Sequence, residues 1–87
     1  MKRGQIRAKA IYVLGEVGPE AGAVAPDLLA ILKDDPQSFI RMYAAMTLGK
    51  IGPDPIVLDG LKDAAKNDKD PDVCWAANEA LKKMNKP

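Results

Sequence analysis

Ile6-Arg7-Ala8-Lys9-Ala10-Ile11-Tyr12-Val13-Leu14-Gly15-Glu16-Val17-Gly18-Pro19 lies over Ile40-Arg41-Met42-Tyr43-Ala44-Ala45-Met46-Thr47-Leu48-Gly49-Lys50-Ile51-Gly52-Pro53 with seven of fourteen positions identical. Coincidence at ordinary residue frequencies gives about one. A third copy runs from Val73-Cys74-Trp75-Ala76-Ala77-Asn78-Glu79-Ala80-Leu81 to Met84, keeping the apolar positions and losing the glycines. The step from Ile6 to Ile40 is one position longer than the step from Ile40 to Val73, so the spacing is nearly constant. Self-similarity at such a period marks a stack of supersecondary units, each too small to bury its own apolar face.

Periodicity says what each unit contains. Ile40, Ala44, Thr47, Leu48 and Ile51 form one stripe of a helix, and Ile6, Ala10, Val13, Leu14 and Val17 repeat it. Val73, Ala77, Ala80, Leu81 and Met84 make the third stripe. Gly18 and Gly52 stand where a chain leaves a helix through positive φ, and Pro19 and Pro53 forbid continuation. Asp35-Pro36, Asp54-Pro55 and Asp70-Pro71 read as helix starts, the aspartate capping while proline occupies the first turn. Second helices fall at about Val24–Lys33, with Val24, Leu28, Ile31 and Leu32 inward, and at about Pro55–Lys66. The latter turns Val57, Leu58, Leu61, Ala64 and Ala65 inward, and Gly60 weakens its middle. Five helices in the order A-B-A-B-A follow, in one domain over 1–87. The repeats lie at about 6–39 and 40–72, with a half repeat at 73–87.

Composition narrows the function. At 87 residues, 47% apolar and 29% charged, the chain makes one small folded domain. A net charge of +1 gives no reason to expect nucleic acid or a membrane surface. There is no histidine, and Ser38, Thr47 and Cys74 stand alone in their types, which removes most metal sites and nucleophile–base pairs. The lone Cys74 cannot form an internal disulfide. No apolar run approaches the ~18 residues of a membrane span, and the start lacks a secretory pattern. These absences point to the cytoplasm. The chain is expected to be no enzyme and to need no cofactor or metal.

The remaining chemistry is thin. Cys74 becomes a reactive thiol only if a cation lowers its pKa; a small, partly buried helix-start residue is the plainer reading. Asp34 and Asp35, without histidine or a second acidic cluster nearby, read as turn and cap residues rather than a metal pair. Gly15-Glu16-Val17-Gly18 ends a helix, whereas phosphate loops precede one. Asp59, Lys62, Asp63 and Lys66 share an outward helix face with i,i+3 and i,i+4 spacing, which reads as a solvated face or the polar rim of a groove.

The pattern I-R-x-x-A-x-x-x-L-G-x-[VI]-G-P, followed by a second apolar helix and an Asp-Pro turn, resembles HEAT repeats. It is most similar to the short phycobilisome-lyase-type variety. The resemblance covers roughly Ile6 to Met84. It implies an all-α, right-handed α-α superhelix whose B helices line a concave face used for holding other proteins. It also implies a ladder in which Arg7 and Arg41 stack along the array and bond aspartates of the inter-helix turns. Asp34 or Asp35 is then available to Arg41, and the ladder stops at Cys74.

On the convex side, HEAT-like units usually carry polar residues where this chain has Met42, Tyr43 and Met46. With Tyr12 and Trp75 these form a candidate partner-binding ridge. In the alternative, Met42 and Trp75 are tucked between neighbouring helices. The function that follows is a non-catalytic interaction or scaffold module, free-standing or part of a longer array. Its partner is another protein or adjoining repeats of a parent chain, with self-association through open ends. Two alternatives are carried: an accessory component of a bilin-lyase-like enzyme, implied by the resemblance, and a nucleic-acid-binding module. The alternation of Lys62 and Lys66 with Asp59 and Asp63 disfavours the latter.

Overall fold

The computed structural model describes residues 9–13, 15–16, 22–52 and 54–84. Helical residues 9–13 and 15–16 make α1. They are followed by α2 (Ala25–Asp34), α3 (Ser38–Ile51), α4 (Pro55–Asn67) and α5 (Pro71–Met84). No strand occurs among the described residues. Both expected second helices are present, with bounds that differ from the expected ones by a single position at most.

Short polar contacts set the helix ends. Asp54 caps α4, its Oδ1 accepting from the Ile56 N–H at 2.9 Å, with Pro55 in the first turn. Asp70 does the same for α5 through the Asp72 N–H at 2.8 Å. Asp35-Pro36 departs from the expected role. The residue before α3 is an extended Gln37 with no side-chain cap, and Pro36 lies in the turn outside the helix. Asp35 Oδ1 instead accepts from the Gln37 N–H at 2.9 Å and closes an Asx turn. Its counterpart one repeat on, Asp68, closes the same turn with the Asp70 N–H at 3.0 Å. At the end of α3, Gly52 has φ 114° and returns its N–H to the Leu48 carbonyl at 3.3 Å. The Gly18-Pro19 stop and Pro53 lie outside the described residues.

The helices form two layers. α3 packs against α2 and α5, and α4 against α2 and α5. α1 joins α3 through the Thr47 hydroxyl, which donates to the Ile11 carbonyl at 3.1 Å. One layer is therefore α1, α3 and α5, the other α2 and α4. This is the stack that the repeat demanded, an all-α solenoid. Ile40, Ala44, Thr47, Leu48 and Ile51 are all buried, as are Val73, Ala77 and Ala80. Leu28, Leu32, Val57 and Leu61 are buried from the second layer, each contributing roughly 1.5–3 kcal/mol. Ala45 and Ala76, off the sequence stripes, are also fully buried because helices of one layer press on each other. Ala10 and Val13 correct the expectation for the first copy: both are exposed, since no described helix covers that side of α1. Ile11 faces α3 and is buried instead.

Two glycines permit close approach. A Cβ on Gly49 would stand 2.8 Å from Ala80 Cβ and 3.0 Å from its Cα, so this glycine lets α3 and α5 touch. Gly60, which weakens α4 as an isolated helix, is the notch that receives the Leu29 side chain of α2.

Candidate functional site

Arg41 sits near the start of α3, on the flank that meets the α4–α5 turn. Its Nε donates to Asp68 Oδ2 at 3.0 Å and its Nη2 to Asp68 Oδ1 at 3.2 Å, a two-pronged pair with both side chains largely shielded. Its Nη1 donates to the Asp35 backbone carbonyl at 2.7 Å. The carboxylate partner is thus Asp68, which sequence reasoning passed over. Asp35 serves Arg41 through its carbonyl while its carboxylate closes the turn, and Asp34 is exposed. The signal was available: Asp68 follows Asp35 by the same step that carries Ile40 to Val73. Arg7, the other expected rung, lies outside the described residues.

Cys74 occupies the register position of Arg41. Its Sγ donates to the Asp68 carbonyl at 3.2 Å, the counterpart of the bond from Arg41 to the Asp35 carbonyl. The thiol is half-buried and serves the turn. Among the described residues no group of three or more His, Cys, Asp or Glu side chains is placed to hold a metal ion. No described helix is long and apolar enough to cross a membrane.

Between α2 and α4 runs an open groove of about 930 Å³. Leu29, Ile56 and Gly60 contribute to its apolar part; its polar part includes Asp34, Asp59 and Asp63 together with Lys33, Lys69 and the Arg41–Asp68 pair. Ile56 is 69% exposed, the most open of the large apolar side chains among the described residues. A second cavity of about 490 Å³ toward Gly22 and Gly52 shares Leu29 and Ile56 with the first, so one apolar seam serves both. Lys62 and Lys66 are exposed but do not line this groove, and Asp63 accepts from Asn67 Nδ2 at 2.8 Å.

The opposite face carries the residues of the expected ridge. Tyr12, Met46 and Trp75 are 50%, 37% and 58% exposed, one from each helix of the α1–α3–α5 layer. Met42 and Tyr43 are half-buried and pack against the core. Lys50 crosses from α3 to α1, its Nζ 5.0 Å from the centroid of the Tyr12 ring and 3.8 Å from Glu16 Oε1. A hydrogen bond and the negative charge of Glu16 hold the Tyr12 phenol above the usual tyrosine range.

Comparison with known families places this architecture. The model for HEAT repeats matches residues 2–82. The chain belongs to the HEAT-repeat family. The match is to HEAT repeats as such and does not carry the finer phycobilisome-lyase resemblance. Among curated proteins, the HEAT chain is 40% identical over 62 residues to epoxyqueuosine reductases of Bacillus cereus and Bacillus anthracis. The matched stretch is 71% of this chain and 16% of each relative, so the chain spans a small part of their length. No solved structure matches significantly.

Proposed function

We propose that this HEAT chain is a non-catalytic interaction module that presents the α2–α4 groove to a segment of another protein or of a longer parent chain. The observation that carries the reading is the groove itself. Leu29 and Ile56 offer apolar surface beside carboxylates of Asp34, Asp59 and Asp63, with Lys33 and Lys69 as the lysines of its lining. An amphipathic segment with apolar anchors and basic flanks complements that surface. The epoxyqueuosine reductases support the parent-chain form of the reading, because they carry a similar stretch within a much longer protein. In such a protein the module holds and positions, and any chemistry belongs to the rest of the chain.

A second reading places the contact on the convex side, favoured by the exposure of Tyr12, Met46 and Trp75. One experiment separates them. Peptides selected from a random displayed library are mapped onto the isotope-labelled protein by amide shifts, with Ile56→Asp and Met46→Glu variants alongside. Perturbations around Leu29, Ile56 and Gly60, with binding lost in Ile56→Asp, uphold the groove. Perturbations around Met46 and Trp75, with binding lost in Met46→Glu and unchanged helicity, transfer the function to the convex row and end the groove proposal.

A further inference from the structure

The repeat lets each exposed edge of the stack be compared with its buried twin. At the inner interfaces Ala45 is fully buried, Gly49 admits Ala80, and Leu29 fills the notch at Gly60. The residues at the same places one repeat later are Asn78, Lys82 and Lys62, and all three are exposed. Lysine at the place of Gly49 blocks the approach that glycine allows, and burying its ammonium carries a heavy desolvation cost. Lys62 at the place of Leu29 has no apolar knob to offer a following helix. Trp75 keeps an apolar character on this side, and Leu81 and Met84, at the places of the buried Leu48 and Ile51, are half-buried here.

The α1 edge is the reverse. Ala10 corresponds to Ala44 and Ala77, both fully buried, and Val13 to Thr47 and Ala80, both at most 3% exposed. Yet Ala10 is exposed and Val13 is 52% exposed. What differs is the neighbour. α3 has α2 and α1 beside it, and α5 has α4 and α3, whereas α1 has no such pair on its outer side among the described residues.

We infer that the stack is directional: the α5 edge is a finished cap, and the α1 edge is an open interface built to receive a preceding helix pair of this same repeat. The occupant follows from continuity with the α1–α3 and α3–α5 interfaces, whose inner residues α1 repeats on its outer face. The inference is independent of the groove reading, since it concerns the ends of the stack and neither of its broad faces.

Two duplications test it. Residues 1–39 followed by 6–87 add a helix pair ahead of α1 in register; residues 1–84 followed by 52–87 add one after α5. The first is expected to unfold in one urea transition with a midpoint above the parent, and Val13→Lys in its second copy brings the midpoint back. The second is expected to leave the midpoint unchanged until Lys62→Leu, Asn78→Ala and Lys82→Gly are made at the junction. An equal rise from the unmodified second duplication, or none from the first, overturns the inference. Should a duplication fail to fold, the parent chain carrying the same three substitutions provides the other test. It opens the α5 edge in addition to the α1 edge and is expected to form head-to-tail oligomers by light scattering, abolished by Val13→Lys; a monomer at all concentrations overturns the inference equally.

Discussion

α3 and α5 are the same helix written twice, one repeat apart, and they share an inner face while differing on one flank. Ile40, Ala44 and Thr47 are buried, and so are their counterparts Val73, Ala77 and Ala80. On the flank that points along the stack, Arg41, Ala45 and Gly49 become Cys74, Asn78 and Lys82. Register decides which residues enter the core, because every unit meets its second-layer helix in the same way. The flank answers to a different condition, whether another helix lies beyond it. Arg41 finds Asp68 there; Cys74 reaches back only to its own turn.

The largest test of that contrast is Asp68→Ala. It leaves the shielded Arg41 guanidinium without its carboxylate and removes the Asx bond to Asp70, and should cost about 3 kcal/mol of unfolding free energy. The double variant with Arg41→Ala should recover part of that loss, which a double-mutant cycle in urea would measure. Full additivity would mean that the two side chains do not act as a pair.

Next comes Gly49→Ala. With the new Cβ 2.8 Å from Ala80, α3 and α5 must separate, at about 2 kcal/mol. Lys82→Ala, at the same register on the edge, should change stability by no more than about 0.5 kcal/mol. Equal losses at the two positions would break the distinction between inner and edge flanks.

Smaller is Cys74→Ser. The hydroxyl keeps a donor for the Asp68 carbonyl, and the expected change is under about 1 kcal/mol in thermal unfolding, while Cys74→Val, which removes it, should cost more.

The smallest effect is within α1, where Tyr12 and Glu16 stand one turn apart, away from the shielded flank. Replacing Glu16 by Gln should lower the Tyr12 phenol toward the ordinary tyrosine range in an ultraviolet titration. Since the folded-state pKa is the raised one, the stabilisation from this contact is complete below the unfolded tyrosine value. It is lost as the pH climbs through the folded value.

Much of the architecture was legible from residues alone. The repeat at Ile6, Ile40 and Val73 dictated a stack, and the stripes identified most of the α3 and α5 core. Asp54-Pro55 and Asp70-Pro71 were read as starts because their geometry is local, a carboxylate reaching a short way along its own chain. Asp35-Pro36 misled for the same reason it looked clear. An Asx turn and a helix cap use the same side-chain reach, and only the position of Gln37 tells them apart.

What the chain's own sequence determined is the unit: a period, its helices, and the residues each helix must hide, all consequences of short-range geometry and apolar spacing. What the tertiary structure decided is every relation between units. Asp68 as the partner of Arg41, Leu29 in the Gly60 notch, and the exposure of Ala10 and Val13 all depend on which helix stands alongside. Periodicity shows that a face needs cover, but only the packed neighbour determines which face receives it.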